Sequence, residues 1–302
     1  MIKVFLRGGL GNQMFQYALG LNLARKNNTE LTLDTTALND RFPRRNFTYR
    51  NFDLDVFKLQ PRFTALSKIS EKLPIPGAWL GLDLGIIKIQ NILNFQKMII
   101  EKNERVFDAS VFSLEEENIL LLGYWQNEKY FKDVESEVRT SFTFRYPLVG
   151  EAGFLAKKVK SSHSVSLHVR RGDYVSFKNV EQSMGKTDLS YYDRAARYIN
   201  EHVPLAEFYI FSDDIAWCRE NLKLPFPVTY VSPSSAGLKA IYHLELMSLC
   251  KHNIIANSTF SWWGAWLNQN PGKIIVAPKR WYAGDNNKEN QADIVPIGWI
   301  KE

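Results

Sequence analysis

From residue 164 to residue 278 the chain alternates short apolar runs with helical stretches. SVSLHV (164–169) reads as a strand. LSYYDRAARYINEH (189–202) reads as a helix, with Tyr192, Ala195, Ala196 and Ile199 on one face. FYIFSDD (208–214) is a strand ending in acids; the short helix DIAWCRENL (214–222) and the strand VTYV (228–231) follow it. GLKAIYHLELMSLCKH (237–252) reads as a helix, NIIAN (253–257) as a strand, STFSWWGAWLNQ (258–269) as a helix and KIIVAP (273–278) as a strand. Strands that alternate with helices form a parallel, doubly wound sheet. Such sheets bind ligands outside the carboxyl ends of their strands. HVRRGD, FSDD, NSTFS and APKRW all fall at those ends, which argues for one site built from four loops.

The beginning of the chain follows the same plan. IKVFL (2–6) is a strand, RGGLGNQ (7–13) a turn, QMFQYALGLNLARKN (13–27) a helix and ELTLD (30–34) the next strand. ILLLGYWQ (119–126) reads as a strand end, and NEKYFKDVESEVRTSF (127–142) as an amphipathic helix. Residues 40–118 carry no pattern that places their elements, beyond a helix-like stretch at 85–100. A length of 302 residues suits two domains. The expected division is 1–150 and 151–302, with the last residues packing back on the first domain.

Composition excludes several classes. Net charge is +6, but no Lys/Arg block forms a nucleic-acid arm. Two cysteines, Cys218 and Cys250, give neither a disulfide framework nor a zinc site. The five histidines have no metal-ligand spacing, and no G-x-S-x-G elbow occurs. The first residues read as a core strand instead of a signal peptide, and no apolar run reaches the roughly 20 residues of a membrane span. A soluble cytoplasmic protein is expected. Trp79, Trp125 and Trp281 suit either sugar stacking or core packing.

Arg170 and Arg171 stand at the end of a core strand. Guanidinium forks match phosphate oxygens, and neighbouring side chains leave a strand on opposite sides. One arginine is therefore expected to hold an anion, and the other to support the loop with Asp173 as its tether. Asn257, Ser258, Thr259 and Ser261 surround a helix start, which is either a simple cap or an anion site. Of Asp213 and Asp214, one is expected to cap a helix and the other to accept from a purine edge. Gly9 and Gly11 supply only part of a dinucleotide fingerprint, with Asn12 and Gln13 offering amides to sugar hydroxyls. His168 suits either nucleotide orientation or a core position.

GGLGNQMFQYA (8–18), HVRRGDY (168–174), FSDD (211–214) and ANSTFSWWGAWL (256–267) together resemble the inverting α-1,2-fucosyltransferases of glycosyltransferase family 11. The resemblance implies a GT-B fold, two Rossmann-like domains facing across a cleft, the C-terminal one binding the donor. It implies transfer of L-fucose from GDP-β-L-fucose to O2 of a terminal galactose, without a divalent metal. Partners would be GDP-fucose and a galactose-terminated glycan, a lipid-linked acceptor giving peripheral membrane contact; no nucleic acid is expected. Fucosyl transfer of another linkage, or a non-catalytic sugar-binding module, are the rival readings. By resemblance Arg170 meets the donor phosphates, Ser258, Thr259 and Ser261 the phosphate side, Asp213 or Asp214 the guanine, and the glycine loop the donor sugar and phosphates. Arg170 and Asn12 are the catalytic candidates. The α-1,6 relatives carry a Glu shortly after the arginine motif; Tyr174 to Lys178 contain no acid here, and Glu181 comes later.

Overall fold

The computed structural model describes residues 1–41, 48–72, 97–103, 106–114, 116–171, 187–282 and 293–302. Asp173, Tyr174 to Lys178, Glu181 and Trp79 lie outside them, as does the stretch 85–96. The chain divides into two compact units, Met1–Arg145 and Tyr146–Glu302.

The first unit is built on β1 (Ile2–Phe5), β2 (Leu31–Asp34), β3 (Arg62–Phe63), β4 (Lys97–Ile100) and β5 (Ile119–Leu122). Every pairing is parallel and the order is β3-β2-β1-β5-β4. Its helices are α1 (Leu10–Lys26), α2 (Thr36–Asn39), α3 (Ala65–Lys72) and α4 (Glu135–Ser141). A parallel sheet is covered on both faces, so β1 and β5 are apolar throughout their buried positions.

Helix α1 lies close against the sheet. A Cβ on Gly20 would come within 2.5 Å of Val4 Cγ2, so glycine alone fits this crossing. Three amides on α1 are buried, and each is tied to a loop. Gln16 accepts from the Arg7 N–H (3.1 Å) and donates to Gly123 O (2.9 Å). Asn22 donates to Tyr130 O (2.9 Å). Gln13 donates to Gly8 O (2.9 Å) and Asn51 O (2.7 Å) and accepts from the Asp53 N–H (2.9 Å). Buried polar groups must find such partners, and here they fix the loops around the strand ends.

The second unit carries β6 (Ser164–Val169), β7 (Glu207–Ser212), β8 (Val228–Tyr230), β9 (His252–Ile254), β10 (Ile275–Ala277) and β11 (Ile300–Lys301). All are parallel, in the order β11-β10-β9-β6-β7-β8. Helices α5 (Gly150–Ser161), α6 (Leu189–His202), α7 (Ile215–Asn221), α8 (Ile241–Leu249) and α9 (Thr259–Leu267) connect them. All six residues of β6 are buried, as its central place requires. Trp262 and Trp263 of α9 are fully buried, and the Trp262 indole donates to Ile294 O (2.7 Å).

Three expectations change. Residues 127–142 are not one helix: two short 3-10 turns, Glu128–Tyr130 and Lys132–Val134, precede α4. Helix α8 begins at Ile241, because Lys239 and Ala240 adopt left-handed backbone (φ 54° and 58°). Residues 97–100, the end of the stretch taken for a helix, form the edge strand β4. At the other terminus, Ile300–Lys301 joins the second unit's own sheet beside β10. No helix among the described residues is long and apolar enough to cross a membrane.

In both sheets the order of strand addition reverses at one strand pair. In the first unit, β1 has β2 and β3 on one side and β5 and β4 on the other; in the second, β6 is flanked by β7 and β8 against β9, β10 and β11. The loops leaving such a pair diverge and open a crevice. Those loops carry the glycine motif in one unit, and the arginines and the NSTFS segment in the other.

Candidate active site

In the second unit β6 and β7 pair with His168 opposite Phe211 and Val169 opposite Ser212. The next residues, Arg170 and Asp213, therefore leave the sheet side by side. Arg170 Nη1 lies 2.7 Å from Asp213 Oδ2, and the Arg171 N–H donates to Asp213 Oδ1 (2.9 Å). Arg171 Nε donates to Asp214 Oδ2 (3.2 Å), and its guanidinium covers the Trp217 ring at 3.6 Å. Asp214 Oδ1 accepts from the Trp217 N–H (3.1 Å) and caps α7.

This arrangement gives the arginines their partners. Arg171 is held by Asp214 and Trp217; Asp173, its expected tether, lies outside the described residues. Asp214 is the capping acid. Asp213, the other of the two acids of which one was expected at a purine edge, has both oxygens accepting from the arginine pair. The cause is the strand register, which sets the two arginines against the two acids. Trp217 had no signal in the sequence beyond its place on a short helix.

On the other side of β6, β9 runs through Ile255 and Ala256 into Asn257 and Ser258, and α9 starts at Thr259. Ser258 has extended backbone (φ −135°, ψ 126°), and no side chain caps the helix. The first intrahelical bond is Trp262 N–H to Ser258 O (2.9 Å), so the N–H groups of Thr259, Phe260 and Ser261 have no acceptor one turn back. Open donors at a helix N-terminus favour an anion. Ser261, 1% exposed, spends its hydroxyl on Ser258 O (3.2 Å). Asn257, 2% exposed, accepts from Thr187 Oγ1 (2.9 Å) and donates to Trp281 O (3.0 Å). Both brace the loop, whereas Thr259 is partly exposed at its tip.

His168 sits between the two clusters, with its ring 5.9 Å from Phe260. It is buried, and its Nδ1 has no hydrogen-bond partner. Burial, the largest cause, and then the Arg170 charge push the imidazole down to about 3, against an opposing pull from Asp213. The ring is neutral at physiological pH. Its folded pKa is below the unfolded value, so the unfolded chain takes up a proton that the folded chain refuses. Stability from this group is complete above about pH 6.5 and is lost as pH falls toward 3. Between pH 7 and pH 5, wild type is expected to lose about 2 kcal/mol more than His168→Gln in denaturant unfolding. Parallel profiles would show that the imidazole is not shielded.

In the first unit Gly8 has φ +79°, and a Cβ there would meet Asn12 Nδ2 at 2.5 Å. The turn thus needs glycine at 8, one residue before the expected Gly9, which precedes α1 with extended backbone. Gly11 is a buried residue of α1. Gln13, expected to face sugar hydroxyls, is fully buried and holds the loop 51–53. Asn12 Oδ1 accepts from Gln126 Nε2 (2.9 Å), a bond that spans the β1–β5 crevice. Gln126 was missed because only the sheet order brings it to Asn12. Trp125 and Trp281 are 2% and 1% exposed.

The sequence profile of Glycosyl transferase family 11 matches residues 1–302. The chain is 32% identical over 302 residues to an Escherichia coli alpha-1,2-colitosyltransferase, covering 98% of this chain and 97% of that protein. It is 30% identical over 159 residues to the Bos taurus galactoside 2-alpha-L-fucosyltransferase SEC1, covering 50% of this chain and 42% of that protein. Among solved structures it resembles fucosyltransferase NodZ from Bradyrhizobium, with a TM-score of 0.51 at 15% identity over 87% of this chain and 91% of that one. That likeness concerns the fold, two parallel-sheet α/β domains of the GT-B class. Sequence match and architecture agree: the chain belongs to glycosyl transferase family 11.

Proposed function

We propose that the chain transfers L-fucose from GDP-β-L-fucose to O2 of a terminal galactose, with inversion at the sugar's anomeric carbon. The observation that carries this reading is the placement of Arg170 at the end of β6 and of the uncapped start of α9 just after the neighbouring strand β9. The bond from C1 to the β-phosphate oxygen breaks while the bond from C1 to the galactose O2 forms. Negative charge collects on the departing GDP. A fixed guanidinium and helix N-terminal N–H groups oppose that charge without a metal ion. Asp213 holds Arg170 in place, and Arg171 and Trp217 hold the acids. The acceptor hydroxyl loses its proton late, to a phosphate oxygen, in a loose transition state. Asn12 and the glycine turn serve the sugar side.

The test is incubation of the purified protein with GDP-β-L-fucose and galactose-terminated oligosaccharides. GDP release is followed, and linkage and anomeric configuration of the product are read by NMR. An α-1,2-fucosylated galactoside, formed equally well with EDTA present, is expected. A protein that fails to bind GDP in calorimetry would be a sugar-binding module instead. A second donor sugar, colitose, is favoured by the similarity to the Escherichia coli colitosyltransferase. GDP-colitose in a parallel reaction separates the two by relative kcat/KM.

A further inference from the structure

Past the carboxyl ends of β4 and β5 lies a pocket of about 270 Å³, lined by Glu101, Phe107, Asp108, Trp125 and Tyr130 among others. The Glu101 carboxylate accepts from the N–H groups of Tyr124 (2.6 Å) and Trp125 (2.9 Å). This grip holds Trp125 in left-handed backbone, φ 57°, which disfavours a bulky residue. Strain of this kind persists where surrounding structure enforces it and often marks a functional position. Its consequence here is divergence: Gln126 reaches Asn12, while the preceding Trp125 lines the pocket.

The walls are aromatic. Phe107 and Tyr130 have ring centroids 4.8 Å apart, and Trp125 stands edge-on to Tyr130 at 5.5 Å. One lining residue carries a buried donor without an acceptor, Trp125 Nε1. An unmet buried donor is destabilising, and a ligand oxygen that reaches it would satisfy it. Aromatic planes with a few fixed polar groups are the usual make-up of a small-molecule site, and about 300 Å³ is the small end of such sites. The size fits a single sugar ring. Two acids against one lysine, Lys102, disfavour an anionic sugar.

We propose that this pocket is a carbohydrate subsite holding an uncharged pyranose of the acceptor other than the galactose that receives fucose. The inference rests on the fucosyl-transfer reading above. Its place, next to the Asn12–Gln126 bridge, lets one acceptor chain run from the glycine turn into the pocket. The subsite selects longer acceptors and leaves the chemistry of the reacting galactose alone.

The experiment compares methyl β-D-galactoside with a neutral, galactose-terminated tetrasaccharide. Wild type is expected to favour the tetrasaccharide at least 10-fold in kcat/KM. Phe107→Ala should reduce that preference 5-fold or more, with the rate on methyl β-galactoside within 2-fold of wild type. Trp125→Phe, which keeps a ring and removes the N–H, should raise KM for the tetrasaccharide alone. Saturation-transfer NMR of the tetrasaccharide reads occupancy without turnover. Equal rates on both acceptors in wild type, or equal loss on both in Phe107→Ala, overturns the subsite and leaves the transfer reading standing. Tetrasaccharide binding that weakens in Phe107→Ala, in a protein with no fucosyl transfer, keeps the subsite and overturns the transfer reading.

Discussion

Replacing Arg170 with alanine is expected to lower turnover by about 10²–10³-fold, equivalent to roughly 3–4 kcal/mol of transition-state stabilisation. The side chain sits where β6 ends beside β7, and its guanidinium is tied to Asp213 at 2.7 Å. About a quarter of each partner's side chain is exposed, 27% and 25%. Such a pair contributes little to stability, about 0–1 kcal/mol. Asp213 in the variant still accepts from the Arg171 N–H. The protein should therefore fold normally, and the lost rate cannot be assigned to unfolding. Charge on the β-phosphate grows as the sugar leaves, so kcat should fall more than donor affinity. Arg170→Lys should recover little, because an ammonium ion cannot bond both Asp213 and a phosphate through a planar fork. Stopped assays of GDP release, alongside calorimetric titration with GDP, separate the two effects. Near-normal kcat in folded Arg170→Ala would remove the guanidinium from the chemistry.

The second unit was legible because its signals are local. Each strand from 164 to 278 is an apolar run closed by polar residues, and α6 shows its buried face in sequence order, Tyr192, Ala195, Ala196 and Ile199. A parallel sheet follows from alternation alone. The failures have tertiary causes. Tyr130 and its neighbours look helical by period, but the Asn127 side chain caps a 3-10 turn, and the Tyr130 hydroxyl accepts from the Asp108 N–H (2.9 Å). Those ties hold the segment in short turns. Lys97–Ile100 alternates too little to announce a strand, and among the described strands it pairs with β5 alone.

The site divides in the same way. Arg170 stood out because two adjacent cations after a core strand require an explanation. The acid that would face it did not, because that depends on the register between β6 and β7. Amides and hydroxyls are harder to read from sequence. Gln13, Asn257 and Ser261 look available for a ligand, and each is spent on backbone groups or a neighbouring side chain. Placing a polar residue beside a functional loop does not show whether it serves the ligand or the loop. What remains open at the start of α9 includes its first backbone N–H groups.

That backbone can be tested without touching a side-chain contact. Thr259 is the first residue of α9, where the N–H has no intrahelical acceptor. Proline is well tolerated at this position, because the missing N–H costs the helix no bond and its fixed φ suits helical geometry. Proline also restricts the residue before it to extended backbone, and Ser258 already has φ −135° and ψ 126°. Thr259→Pro should therefore keep the fold, with an unfolding midpoint close to that of Thr259→Ala. If the open N–H groups hold the departing diphosphate, removing one should cost turnover about 10²-fold, and Thr259→Ala, which keeps the N–H, should lose far less. The gap between the two variants reports the backbone donor alone. Initial rates at saturating GDP-fucose, with thermal unfolding of both proteins, measure it. Equal rates in Thr259→Pro and Thr259→Ala would show that the diphosphate is not held by the first turn of α9, and would leave Arg170 to stabilise the leaving group without it.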